Sequence, residues 1–131
     1  MAAFVVSSTD PRGVPHAGTR LSLFPGSATP AVFPACAPFW IGYGFVPEPG
    51  DRGSDTDTAF ERDTRFELDV DGAPVKLATD VSTRDGHPVS KQCVASFGSG
   101  LPAGWHRFAG RWYDRGQLVL TTERSIEFLE R

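Results

Sequence analysis

One short stretch, WHRFAGRWY at positions 105–113, holds the residues best suited to chemistry. Alternate side chains of a strand point to opposite faces, so Trp105, Arg107, Arg111 and Tyr113 share one face. Tryptophan, tyrosine and arginine are enriched at the hot spots of protein interfaces. If the other face is buried, this set forms an exposed aromatic and arginine surface, which predicts a non-catalytic binding or interaction module.

The residue types of this surface indicate what it would bind. Aromatic rings stack on sugars and other flat molecules, while arginine forks pair with carboxylates. Trp40 joins the surface if its strand lies in the same sheet. We therefore expect a protein partner, or a small anionic or sugar-like ligand, to contact Trp40, Trp105, Arg107, Arg111 and Tyr113. The competing interpretation is that Trp105 covers an open end of the core and that the arginines are solvated charges.

A second hypothesis is enzymatic and concerns His106, on the opposite face of the same stretch. A histidine that meets an aspartate in space can act as a general acid or base, as in a small hydrolytic enzyme. The site would then lie beneath the polar, acid-rich segment 47–64. A half-buried structural histidine is the alternative, so the non-catalytic module is favoured. A structural subunit that assembles through proline-rich edges is a third hypothesis.

Carboxylates within segment 47–64 give a weak calcium hypothesis. Asp51, Asp55 and Asp57 supply the oxygen ligands that calcium prefers. The spacing of the EF-hand loop is absent, however, so a solvated loop is the favoured interpretation. The three histidines are dispersed along the chain and show no metal-ligand spacing. We therefore expect no metal and no cofactor.

Composition limits the classes of fold and partner. The 131 residues include 14 glycines and 11 prolines, and 40% of the chain is hydrophobic. Many turn-forming residues together with an ample apolar fraction favour short strands, so we expect residues 1–131 to form a single all-β domain. The net charge is −3 and no basic run occurs, which argues against nucleic-acid binding. The composition leaves the oligomeric state open.

Period-2 alternation predicts where the strands lie. In segment 39–45, Phe39, Ile41 and Tyr43 share a face, and segment 65–70 alternates in the same way. Asp-Gly pairs at 71–72 and 85–86 predict two hairpin turns. Phe108 and Trp112 mark the buried face of the first of three strands expected within 101–128. We expect seven to nine strands, less than about a tenth helix, and a long loop at 47–64.

The compartment and the state of the cysteines are linked. No apolar segment is long enough to cross a bilayer, and residues 2–6 lack the basic region of a secretory signal. These features favour a cytoplasmic protein without membrane attachment, and a chain whose secretory signal has been removed is the alternative. In a reducing compartment Cys36 and Cys93 would remain separate thiols, and a disulfide between an early and a late strand is the alternative.

The segment GSGLPAGWHRFAGRW at 98–112 resembles the late strands of bacterial immunoglobulin-like modules. In those modules a turn of leucine, proline or alanine, glycine and an aromatic residue opens the penultimate strand. The resemblance implies an antiparallel Greek-key β-sandwich, and the family shares no catalytic residues. A small β-barrel is the second architecture that we consider.

Overall fold

Ten strands and one helix make up the described part of the chain. The computed structural model describes residues 3–7, 16, 18–24, 29–47 and 54–130, with the backbone alone for 3–7, 54–57 and 59. The elements in chain order are β1 (Ala3–Ser7), β2 (Thr19–Arg20), β3 (Val32–Pro34), β4 (Phe39–Pro47), α1 (Ser54–Asp63), β5 (Arg65–Val70), β6 (Ala73–Pro74), β7 (Ala78–Arg84), β8 (His87–Phe97), β9 (Gly104–Asp114) and β10 (Gln117–Leu129).

The strands form two sheets. The first has the order β1-β4-β8-β7 with β2 also paired to β4, and the second has the order β3-β10-β9-β5-β6. The all-β prediction is confirmed, since most of the described residues lie in strands. The expectation of purely antiparallel sheets is wrong, because β2 runs parallel to β4 and β3 runs parallel to β10. The barrel alternative is also wrong, because neither sheet closes among the described strands.

Three two-residue turns, at 71–72, 85–86 and 115–116, set the register of the hairpins. In each turn both residues have a positive φ, which is the conformation of a type I′ turn. The two Asp-Gly turns confirm the sequence prediction, and the third uses Arg115 before its glycine. One long strand, β10, replaces the two strands expected after this turn. It carries a register shift between Leu118 and Leu120, so Val119 forms a bulge.

The two sheets pack face to face around a single aromatic core. The rings of Tyr43, Phe66 and Trp112 lie within 5.0 Å of one another, centroid to centroid, and Tyr43 meets each of the other two edge to face. Trp112 is 0% exposed, so the prediction that the even face of β9 is buried is confirmed. Such aromatic contacts add to the free energy gained by burying apolar area.

Glycines inside the strands make room for the large rings. A Cβ at Gly110 would lie 3.2 Å from the Trp112 ring and 3.0 Å from the Phe66 ring. A Cβ at Gly42 would lie 2.8 Å from the ring of Trp40, two residues earlier on the same face of β4. In both strands a tryptophan therefore lies flat over a glycine two positions away, which requires the absence of a side chain there.

Helix α1 corrects the prediction that all of segment 47–64 is a loop. Phe60 is buried in the core and anchors the helix, although the segment is polar overall. The Nζ of Lys91, from β8, donates to the carbonyl oxygens of Glu61, at 2.6 Å, and of Thr64. Burial lowers the pKa of Lys91, and these bonds satisfy carbonyl groups that a helix end leaves open. Residues 48–53 lie outside the described residues.

Cys36 and Cys93 are separate thiols, as one of the two hypotheses predicts. Cys93 is buried on the inner face of β8, while Cys36 is exposed in the turn between β3 and β4. Burial raises the pKa of the Cys93 thiol, which keeps it neutral and unreactive.

We expect Trp112→Ala to lower the free energy of unfolding by about 3–5 kcal/mol, because it removes the ring at the centre of the core. Trp105→Ala is the matched control, since it truncates an exposed tryptophan of the same strand and should cost under about 0.5 kcal/mol. Urea denaturation of both variants measures the difference. Equal losses in the two variants would contradict the assignment of the buried face.

Candidate binding surface

The outer face of β9 carries the residues predicted to bind. Trp105 is 64% exposed and Arg107 is exposed, while Arg111 and Tyr113 are half-buried. Neighbouring strands contribute the rest of this face, because β5 and β10 pair with β9 on its two sides. The interpretation that Trp105 covers the end of the core is not supported, since most of its side chain is exposed.

Trp40 does not belong to this surface, which corrects the sequence hypothesis. It lies on β4 in the first sheet, while Trp105 lies in the second sheet. Trp40 is 4% exposed, and its ring occupies the space over Gly42. The His16 ring contacts it at 4.9 Å between centroids, and the guanidinium of Arg20 lies 5.6 Å from it. Trp40 is therefore packed locally and cannot stack on a ligand beside Trp105.

Each arginine that was expected to attract an anion is paired with a carboxylate. Arg111 reaches both oxygens of Asp69 with Nη1 and Nη2, at 3.0 and 3.3 Å, and Glu67 with Nε, at 3.2 Å. These partners, Asp69 first, raise the pKa of Arg111 well above its ordinary value. Arg107 donates from Nη2 to Glu123 at 2.6 Å. The positive charge of the face is thus neutralised across neighbouring strands.

Tyr113 is covered by an arginine of the adjacent strand. The guanidinium of Arg65 lies 4.0 Å from the centre of the Tyr113 ring, a cation–π contact, and its Nε donates to Glu67 at 3.3 Å. Burial acts to raise the pKa of Glu67, but the hydrogen bonds from Arg111 and Arg65 outweigh it and lower the pKa. This end of the face is consequently occupied by the protein's own contacts.

Two shallow depressions flank the Arg111 side chain. One, of about 460 Å³, lies over Ala109 and Gly110 and is bordered by Thr121 and Glu123. The other, of about 410 Å³, lies on the opposite side and is lined by β5 and the segment that follows β6. Both are open. Arg111, Glu67, Asp69 and Glu123 in their linings are already paired, while Arg124 lines the first depression and donates to the backbone carbonyl of Glu123 without an ion pair among the described residues.

Apolar side chains gather at the Trp105 end of the face. In the strand register Trp105 pairs with Glu127, which pairs with Val32 on β3, and Leu129 is two residues further along β10. Val32 is 49% exposed and Leu129 is 43% exposed. We call Trp105, Val32 and Leu129, which surround Glu127, the Trp105 patch. A groove of about 240 Å³, lined mainly by Val32, Pro34 and Leu129, extends it to the sheet edge.

His106 bridges Asp71 and Pro102 next to Trp105, and we call this arrangement the His106 clamp. Its Nδ1 lies 2.7 Å from Asp71 Oδ2 and its Nε2 lies 2.8 Å from the carbonyl oxygen of Pro102. Both partners are acceptors, so both ring nitrogens must carry protons, as in the imidazolium ion. Burial acts to lower the pKa of His106, but the bonds to Asp71 and Pro102 outweigh it and raise the pKa. The Asp71 carboxylate also accepts from the Arg107 amide at 2.9 Å.

This geometry does not match the enzymatic hypothesis. His106 has an aspartate partner, as that hypothesis requires, but it has no lone pair left to accept a proton from a substrate. It also lies near the start of β9, whereas Gly116, just beyond the other end of β9, donates to the carbonyl of Asp63 at the end of α1. His106 is therefore remote from the segment beneath which the site was expected.

The calcium hypothesis gains no support from the described residues. Asp51 lies outside them, and Asp55 and Asp57 fall in α1, where the backbone alone is described. No group of three or more histidine, cysteine, aspartate or glutamate residues suited to a metal occurs in the part of the chain that the structure describes.

Comparison with protein-family models, curated proteins and solved structures finds no match to this chain. Within the described ranges, no helix has the length and apolar character needed to cross a membrane.

The sequence analysis missed the acidic partners of this face. The alternation of segment 65–70 already places Glu67 and Asp69 on the face opposite Phe66, so a signal was present. The sequence did not indicate which strand would lie beside them, because β5 and β9 pair residues as distant in the chain as Arg65 and Tyr113. The sequence likewise did not indicate that Val32 and Leu129 would lie near Trp105, because β3 and β10 are also distant in the chain.

We expect the His106–Asp71 bond to make stability depend on pH. Because the pKa of His106 is raised, its contribution is complete below the ordinary value of 6.5 and is lost as the pH rises through the raised pKa. The Arg107 amide and the His106 ring lower the pKa of Asp71, so the contribution is also lost in acid, as the pH falls below 3.8 through the lowered pKa. The difference in unfolding free energy between wild type and His106→Gln should peak between these limits.

Urea denaturation of both proteins from about pH 3 to about pH 9 measures this difference. Asp71→Asn is the control, because it removes the charge while its side-chain oxygen can still accept from the Arg107 amide and asparagine tolerates positive φ. It should flatten the dependence above neutral pH. A difference between wild type and His106→Gln that is constant with pH would contradict the ionised clamp.

Proposed function

We propose that this protein is a non-catalytic interaction module that binds a protein partner through the Trp105 patch. The observation that carries the proposal is the 64% exposure of a tryptophan on an inner strand of a sheet. Trp105 pairs with Glu127 of β10, and an exposed large ring costs little to order on binding when its backbone is already held in a strand. Tryptophan is also the residue type most enriched among interface hot spots.

The surroundings of the patch resemble the anatomy of an interface. Three exposed apolar side chains surround Glu127, and the paired charges of Arg107 and Glu123 lie beside them on the same face. Interfaces typically combine an apolar centre with a polar rim. The patch also reaches the sheet edge at β3, so a partner can contact its side chains from the edge as well as from the face.

The charges favour a partner with basic and apolar side chains. Glu127 lies inside the patch and Glu130 borders its groove, and neither forms an ion pair with any described residue. The arginines nearby are neutralised by Glu123 and Asp69, so a small anionic ligand is the weaker alternative. A sugar-like ligand is the second candidate, because the exposed indole offers a flat face for stacking.

The enzymatic and assembly hypotheses are less well supported. The two nitrogens of His106 serve as donors to acceptors within the protein, which favours a structural role. Assembly through proline-rich edges is disfavoured, because a proline cannot donate a backbone hydrogen bond to a new strand. We retain the non-catalytic module as the proposed function.

We also propose that the fold is related to the immunoglobulin-like sandwiches. Two facing sheets with one shared core are what such a relationship requires. Segment 98–112, which carries the sequence resemblance, crosses from β8 in the first sheet to β9 in the second. A family of this kind uses its faces and loops for binding, which agrees with the proposed module.

The test selects peptides from a phage-displayed random library on the immobilised protein. We expect enriched peptides to combine apolar and basic residues, and Trp105→Ala to weaken their binding by at least about thirtyfold, as for a hot spot. Leu118→Ala is the matched control, since Leu118 is an exposed apolar residue at the other end of the same face. It should leave binding unchanged.

Fluorescence provides a second readout for the same peptides. Trp40 and Trp112 are buried, so quenching by acrylamide reports mainly on Trp105. A bound peptide should protect this tryptophan from the quencher. Peptides that bind wild type and Trp105→Ala equally well would refute the proposal, and selective binding of oligosaccharides on a glycan array would favour the sugar-like alternative.

A further inference from the structure

One edge strand of the first sheet, β7, differs from the edges of the second sheet. Among the described residues, β7 pairs with β8 alone. It has seven residues and contains neither proline nor lysine. By contrast, β3 has three residues and ends in a proline, and β6 has two residues, one of them proline. Prolines and short length are common ways to block pairing at a sheet edge, and β7 has neither.

Two charges on β7 lack partners within the described chain. Thr79 pairs with the buried Cys93. The register shift between Ser82 and Thr83 leaves its extra residue, Val89, on β8, so β7 keeps its own alternation and carries Asp80, Ser82 and Arg84 on the outer face. Neither Asp80 nor Arg84 forms an ion pair or a side-chain hydrogen bond with any described residue. Four residues of strand separate them by about 13 Å, which is too far for them to pair with each other.

We propose that two copies of this protein associate edge to edge through β7, in antiparallel orientation, with the two-fold axis at Ser82. In this register Asp80 of one copy lies directly opposite Arg84 of the other. The two-fold symmetry repeats the contact, so the interface contains two equivalent ion pairs. The first sheets of the two copies then form one continuous sheet.

Charge selects this register over its neighbours. An axis at Asp80 would place the two aspartates opposite each other, and an axis at Arg84 would do the same for the arginines, which is unfavourable. An axis at Val81 or Thr83 leaves both Asp80 and Arg84 opposite neutral residues. An axis between two residues would set the outer face of one strand against the inner face of the other. Ser82 is the centre that pairs both charges.

The other side chains of β7 suit the pairing. Thr79, Val81 and Thr83 are β-branched and alternate with the charged positions, and such residues are favoured in strands. Backbone hydrogen bonds would supply most of the affinity, and the ion pairs would set the register. The edge belongs to the first sheet and the Trp105 patch to the second, so the proposal does not depend on the proposed partner.

Charge reversal tests the proposal by sedimentation equilibrium over a range of protein concentrations. Wild type should sediment as a reversible dimer. Asp80→Arg alone and Arg84→Asp alone each place like charges opposite one another twice, and each should weaken the dimer by about tenfold. The double variant Asp80→Arg/Arg84→Asp should recover wild-type association, because every facing pair again joins opposite charges.

Mixing the two single variants gives the most specific result. One copy then carries two positive charges and the other two negative charges, so a mixed dimer should form more tightly than either variant alone. Glu130→Arg, a charge reversal on the second sheet, is the control and should leave the dimer unchanged. Circular dichroism of each variant establishes that it keeps the β-sheet content of wild type.

Two results would overturn the proposal. One is a monomeric wild type at every concentration up to about 1 mM, the weak end of measurable association. The other is a dimer whose response to charge reversal does not fit the register. Either the single reversals do not weaken it, or they weaken it and neither the double variant nor the mixture restores it. Either result would show that β7 does not pair with a second copy in this register.

Discussion

The contact among Tyr43, Phe66 and Trp112 is the constraint on which the surface depends. It joins β4 of the first sheet to β5 and β9 of the second, and Gly110 leaves the space that the Trp112 ring needs. Once the even positions of β9 are fixed in this core, the pleat sends its odd positions to the outside. The exposure of Trp105 therefore follows from the burial of Trp112, and one strand determines both the core and the candidate site.

The cross-strand ion pairs decide which part of the outer face remains available. Arg111 is held by two carboxylates of β5 and Arg107 by one of β10, so most charges on this face are satisfied internally. A partner would have to break these pairs to use them, which gains little. At the other end of the face, apolar side chains surround Glu127, which forms no ion pair with any described residue. The distribution of paired charge thus directs binding toward the Trp105 patch.

Local patterns predicted the strands of this fold and the faces of β9, but not which strands lie side by side. The Asp-Gly pairs gave two turns correctly, since that dipeptide readily adopts positive φ. Trp40 was assigned to the wrong sheet, because the alternation of its strand would be the same in either sheet. Which strands pair is decided by residues that are distant in the chain. Helix α1 was not predicted because it is short and polar. A Ser-x-x-Asp pattern at 54–57 was its local signal. Phe60 and the distant Lys91 hold the helix in place.

The two sheets satisfy their charges in different ways, and this difference bears on how the protein would work. The second sheet pairs its outer charges internally and leaves an apolar patch, whereas β7 of the first sheet holds Asp80 and Arg84 apart on one strand. A second copy can satisfy those charges without covering the patch, because the edge and the patch lie on different sheets. Two patches on one dimer would bind a partner with repeated sites more tightly than one patch does, through effective concentration alone. Weak association at the edge would then increase the avidity of a module whose single contact is small.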